Sequence, residues 1–225
     1  MADQYITRQR YQDAVIARSY DGNRFGRWRH RLKNKNTELV IARAMRRLPV
    51  GAEVLDLPCG TGRLVQLMQR RLLHWLGGDV SMEMMRVAKE KSSDLELGRG
   101  FVRLDAVNLP FSHERFDAVL SIRFIQHIPD ALRHQVLSEF FRVSRRWLII
   151  EYKIYNPLLA ATKKVRGKSL SYNRRPEDVV AELSQAGFRV VEILPVSRLA
   201  STAKIYVCEK LNIEGSRVNH GDQRP

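Results

Sequence analysis

Short apolar runs alternate along this chain with stretches whose apolar positions recur at helical spacing. Val54-Leu55-Asp56 reads as a first strand, followed by a glycine turn and by Leu64, Val65, Leu67 and Met68 at helix period. Leu72 to Gly78 is a second apolar stretch that ends at Asp79. Ser81 then caps a predicted helix from Met82 to Lys91, with Met82, Met85, Val87 and Ala88 as its core stripe. Gly98 and Gly100 interrupt the chain before a third strand, Phe101 to Leu104, which leads to Asp105. Asn108 to Phe111 is a loop. Phe116 to Ile122 is apolar enough to be a central strand of a parallel sheet. A helix over 130–144, a fifth strand from Trp147 to Glu151, an irregular basic insertion over 155–175 and a helix opening at Pro176-Glu177-Asp178 follow. Gly187 ends that helix. The strands 189–194 and 204–208 have no helix between them, so they are expected to pair antiparallel. Upstream, 37–48 reads as a helix capped by Thr37, with Leu39, Val40, Ala44 and Leu48 on its apolar face and Pro49 as its stop. Strand and helix in alternation predict an α/β fold on a largely parallel sheet.

Charge changes this picture more than overall composition does. The 225 residues hold 39 Lys or Arg against 24 Asp or Glu, a net charge of +15, and the excess is uneven. Met1 to Arg47 carries twelve basic and four acidic residues, and Lys163 to Arg175 carries six basic residues and no acid. Such a surface attracts polyanions: RNA, an anionic membrane face or a phosphorylated glycolipid. Residues 1–36 set Tyr5, Tyr11, Tyr20, Phe25 and Trp28 among arginines, which predicts a basic arm or lid. Residues 212–225 are polar and expected to be disordered. Cys59 and Cys208 have no paired spacing, so neither a disulfide framework nor a metal site is expected. No long apolar run suggests a signal peptide or a membrane span, which makes a cytoplasmic protein the expectation, with peripheral association at the inner membrane face allowed by the charge.

The candidate chemistry centres on Asp56-Leu57-Pro58-Cys59-Gly60-Thr61-Gly62. Strand, glycine turn and helix in that order form the layout that receives a nucleotide, because a Cβ in the turn would hold the backbone off its ligand. Asp79 lies 23 positions after Asp56, where an acid binds a ribose diol. A dinucleotide fingerprint is disfavoured, since the third glycine position after Gly60 and Gly62 is Val65.

In order and spacing, four segments resemble the class I S-adenosylmethionine-dependent methyltransferases: Asp56 to Gly62, Asp79 to Met85, Asp105-Ala106 before Leu109-Pro110-Phe111, and Phe116 to Val119 running on to Gln126-His127-Ile128. The resemblance covers about 37–210 and implies a Rossmann-like three-layer sandwich on a seven-stranded sheet, mostly parallel with its last strand antiparallel. It also implies S-adenosylmethionine as cofactor. Asp79 and Val80 would meet the ribose, Asp105 and Ala106 the adenine, and Gly60 and Gly62 the amino-acid end of the cofactor. Met82, Ile122, Pro58 and Cys59 would line the site, Asp56 would order the turn, and Arg123 would face the cofactor carboxylate or an acceptor phosphate. Pro58 departs from the family, which usually has a glycine there.

His127, just past the fourth strand, is the first candidate base, and Glu151, at the end of the fifth, is the second. The Pro58-Cys59 pair lies in the cofactor loop and not after the fourth strand, which argues against a cysteine nucleophile. The absence of an Asn-Pro-Pro-aromatic run after that strand argues against methylation of a base's exocyclic amine. The expected activity is methyl transfer to an anionic acceptor, an envelope glycolipid such as lipopolysaccharide or another membrane-surface molecule, held at a basic rim made by the arm and the insertion. RNA, a small molecule, and a non-catalytic cofactor-binding regulator or scaffold are the alternatives.

Overall fold

The computed structural model describes residues 28–155, 174–196 and 202–211, with the side chains of 28–34 excepted. The arm up to residue 27, residues 156–173 of the basic insertion and the tail from Asn212 lie outside the described residues. Seven strands form one sheet: β1 Glu53–Asp56, β2 His74–Asp79, β3 Gly98–Arg103, β4 Phe116–Ser121, β5 Ser144–Lys153, β6 Phe188–Pro195 and β7 Ala203–Lys210. Their spatial order is β3-β2-β1-β4-β5-β7-β6. All neighbours are parallel except β7, which runs antiparallel to both β5 and β6. Seven residues separate β6 from β7, too few for a crossover helix, and an antiparallel pair needs none.

Among the described residues, five α-helices flank the sheet: α1 Trp28–Ala44, α2 Val65–Arg70, α3 Met82–Lys91, α4 Asp130–Val143 and α5 Pro176–Gln185. One face buries Ile41, Ala44 and Met45 from α1 and its following turn against Val54, Leu120, Ile149 and Val207. The other buries Val136, Leu137 and Phe140 of α4 and Val179 and Leu183 of α5 against Leu55, Val119, Leu148 and Tyr206. Parallel strands covered on both faces must be apolar throughout, and β4 is buried at every position but Asp117.

Several boundaries move. The first helix begins at Trp28, not at residue 37, so it crosses the expected junction between arm and domain. Thr37 lies inside it, 1% exposed, and is not its cap. A single 3-10 turn, Met45–Arg47, takes the chain to Leu48. Gly98 and Gly100 belong to β3 and do not interrupt it: a Cβ on Gly98 would fall 2.5 Å from the Trp75 ring, so only glycine lets β3 close on β2 there. β5 runs from Ser144 to Lys153, which places Glu151 inside the strand. Leu72 is outside β2, with φ of 53° and its side chain exposed.

Candidate functional site

The site lies at the C-terminal ends of β1, β2 and β4, where the strand order reverses and a parallel sheet opens a crevice. Asp56 ends β1, and the chain turns through the cis Leu57–Pro58 bond to Gly60 and Gly62, at φ of 54° and 71°. The two glycines do different work. A Cβ on Gly60 would meet nothing within 4 Å, so this residue bares the backbone to open space. A Cβ on Gly62 would fall 2.9 Å from the Cβ of Ala88, so here the missing side chain admits α3.

Asp79 ties the turn to the second strand. Its Oδ2 accepts a hydrogen bond from Gly60 N at 2.9 Å and its Oδ1 one from Ser81 N at 2.9 Å. Burial lifts its pKa, opposed by the backbone N–H groups of Ser81, Gly60 and Val80. Ser81 caps α3 as expected, with Oγ accepting from Met84 N at 3.2 Å. Cys59 N donates to Gly78 O at 2.8 Å, which closes the turn against β2. Burial, with Asp56 and Asp79 nearby, pushes the Cys59 thiol well above its ordinary range and keeps it protonated.

Asp56 corrects an expectation. It was to order the glycine turn, yet neither of its carboxylate oxygens has a hydrogen-bond partner, and the residue is 1% exposed. The turn is held by Asp79 instead. Burial pushes the Asp56 carboxyl up to about 8, against the pull of Arg63 and with a further push from Asp79. A buried, unsatisfied carboxyl beside a bare glycine backbone is an acceptor waiting for a donor. The α-ammonium of S-adenosylmethionine has that chemistry, so the residues present fit the cofactor.

The remaining predicted residues are spread around this centre. Met82 is 58% exposed and does not join the core; Met84, Met85 and Ala88 do. Asp105 Oδ1 accepts from Val107 N at 3.3 Å and its backbone pairs with Asn108, while Ala106 is buried. Ile122 is buried and Val80 and Pro58 are half-buried. Arg123, directly after β4, adopts φ of 61°, an uncommon conformation for a side chain-bearing residue and one found at ligand sites. His127 closes a 3-10 turn, Ile125–His127, and its N donates to Phe124 O at 2.8 Å. Glu151 is 3% exposed. Asp56 pairs with Leu120 and Leu120 with Ile149, so Asp56, Ile149 and Glu151 share one face of the sheet. Two strand spacings, about 10 Å, separate the Asp56 and Glu151 strands.

Three polar groups lacked a sequence assignment. Ser121, at the end of β4, is fully buried and its Oγ has no hydrogen-bond partner. Gln126 is 4% exposed, and neither atom of its amide is paired. Arg63 acts on Asp56 through space. Arg63 immediately follows Gly62 and Gln126 precedes His127, so position beside a motif was the available signal; burial was not legible.

Residues 54–146 match the family described as a methyltransferase domain. The demethylmenaquinone methyltransferase of Thermotoga maritima is 30% identical over 171 residues, 74% of this chain and 71% of that protein. Methyltransferase GfsG of Streptomyces halstedii is 32% identical over 158 residues, 65% of this chain, and the aligned part spans only 56% of its own length. Among solved structures, magnesium protoporphyrin IX methyltransferase of Synechocystis PCC 6803, with bound SAH, superposes with a TM-score of 0.69 over 87% of this chain and 98% of that one, at 19% identity. Matching sequence, fold and cofactor cradle agree: the chain belongs to the class I S-adenosylmethionine-dependent methyltransferases.

Proposed function

We propose that this methyltransferase acts on an acceptor that carries negative charge, with a phosphorylated envelope glycolipid such as lipopolysaccharide as the first class. The observation that carries the reading is where the charge sits. Leu48 to Ile150, which includes β1 to β4 and every cofactor-site candidate but Glu151, holds fourteen basic and twelve acidic residues. Met1 to Arg47 holds twelve against four, and 151–225 thirteen against eight. The surplus therefore lies in the parts of the chain before and after the cofactor motifs.

S-adenosylmethionine, when bound, supplies an electrophilic methyl group on a sulfonium. The protein's part is to hold, orient and exclude water. Asp56 and the Gly60 backbone would hold the ammonium end, Asp79 the ribose hydroxyls and Asp105 the adenine amino group. His127 would take a proton from an oxygen or nitrogen acceptor, and Glu151 is the second candidate base. The test is incubation of the full chain with methyl-labelled cofactor and separated envelope-lipid, RNA and small-molecule fractions. Label should enter the lipid fraction. Replacing Lys163, Lys164, Arg166 and Lys168 with Gln should weaken that uptake and flatten its salt dependence without changing cofactor affinity. Label confined to RNA or to small molecules would overturn the acceptor class and leave the cofactor assignments standing.

A further inference from the structure

The end of the sheet opposite the glycine turn carries a second, independent arrangement. Two carboxylates there each hold two guanidiniums. Glu53, opening β1, binds Arg99 of β3 and Arg115. Glu209, near the end of antiparallel β7, binds Arg146 of β5 at 2.9 Å and Arg189 of β6 at 2.6 Å. A third such triad lies further along the sheet, level with Asp56 through Val207, Ile149 and Leu120: Glu192 of β6 binds Arg43 of α1 at 2.9 Å and Arg47 just beyond it at 3.2 Å. In every triad the acid is inside: the three glutamate side chains are 20–24% exposed and the six arginine side chains 39–64%. Each triad thus shows solvent a net positive charge, with guanidiniums braced in place and N–H groups to spare.

The same end also shows apolar side chains. Val50 is 74% exposed and Leu72 54%, and Gly51 N donates to Leu72 O at 2.8 Å, so the two turns that carry them are joined. Each turn follows a pair of arginines at a helix end, Arg46-Arg47 after α1 and Arg70-Arg71 closing α2, and Arg71 Nη2 reaches Met45 O at 3.3 Å. A helix C-terminus favours a cation nearby, but gives no reason for two bare aliphatic side chains beside it.

We propose that this end of the sheet is a docking surface for an anionic phospholipid membrane, on which Val50 and Leu72 enter the headgroup layer while Arg46, Arg70 and the Glu53 and Glu209 triads meet lipid phosphates. Apolar insertion and basic attraction together are the two contributions that reversible membrane attachment needs. A nucleic-acid surface would use the arginines and leave the aliphatic pair without a role. The surface lies at the other end of the sheet from the cofactor crevice, so a docked molecule presents the crevice to an acceptor in water or on a facing membrane, and not to the bilayer it rests on. The inference goes beyond the acceptor reading and does not rest on it.

The test is co-flotation of the full chain with vesicles of phosphatidylcholine alone or with phosphatidylglycerol added. Wild-type protein should float with anionic vesicles only, and release as salt rises. Arg46→Gln with Arg70→Gln should weaken binding about 25- to 30-fold, from roughly fivefold per arginine. Val50→Ser with Leu72→Asn should weaken it severalfold and leave the salt dependence in place. Calorimetric S-adenosylmethionine affinity should be unchanged in both, which shows that the variants are folded. Equal binding to neutral and anionic vesicles overturns the proposal. So does wild-type binding by the arginine variant, which would give the attachment to the basic arm. Binding of polyuridylate, but not vesicles, that falls in the arginine variant would make this end a nucleic-acid surface and overturn it equally.

Discussion

Asp56→Asn should stabilise the cofactor-free protein, and by an amount that depends on pH. Unfolded, the carboxyl titrates near its ordinary value of 3.8; folded, burial pushes it up to about 8. Below the first value both states are protonated and the group is silent. Between the two, the unfolded chain releases its proton and the folded chain keeps it, so stability falls as pH rises, by about 1.4 kcal/mol per pH unit. Above the folded value the loss levels off. At pH 7 the accumulated loss is on the order of 4 kcal/mol. Asparagine has nearly the same shape and does not ionise, so it removes this slope. Urea unfolding from pH 5 to pH 8 would show the wild-type midpoint falling steadily and the variant's falling less. Cofactor acts in the opposite sense. An ammonium beside Asp56 favours the carboxylate, so binding near pH 6.5 should release close to one proton, measurable by calorimetry in two buffers of different ionisation enthalpy. The variant should release none and bind at least tenfold more weakly, having lost a charge-assisted bond. Parallel wild-type and variant stability curves, or binding without proton release, would refute the placement of Asp56 against the cofactor.

Three further outcomes follow from the site. Asp79→Ala should cut S-adenosylmethionine affinity by well over tenfold, since it removes hydrogen bonds to a charged group worth about 1.5–3 kcal/mol each and releases Gly60 N; titration calorimetry on the folded variant checks this. Gly62→Ala should destabilise by about 2–4 kcal/mol, combining the overpacked Ala88 contact with a left-handed alanine, and Ala88→Gly in the same chain should restore part of it in urea unfolding. His127→Gln should slow single-turnover methyl transfer by about 10²–10⁴ with cofactor affinity intact; a near-normal rate would leave His127 only a packing role.

The local order of elements was legible in the sequence because it rests on local physics. Asp56 ends an apolar strand, glycines at positive φ follow it, and Asp79 ends the next strand, so both acids had to arrive at the same end of a parallel sheet. The capping of α3 by Ser81 and the opening of α5 at Pro176 are likewise decided within a few residues. What the sequence could not decide was who bonds to whom. Asp56 and Asp79 are both acids at strand ends, yet the second is aimed at Gly60 N and Ser81 N while the first is sealed without a partner, and only the packing of β1 between β2 and β4 separates those environments. Gly60 and Gly62 likewise look alike in the motif, but the approach of α3 makes one a bare surface and the other a packing gap. Glu53, Glu192 and Glu209 lie far apart in the chain among ordinary arginines. Sheet order places Glu53 and Glu209, and the packing of α1 on β6 places Glu192, each beneath two guanidiniums, because tertiary pairing determines which charges share a dielectric boundary and which face water.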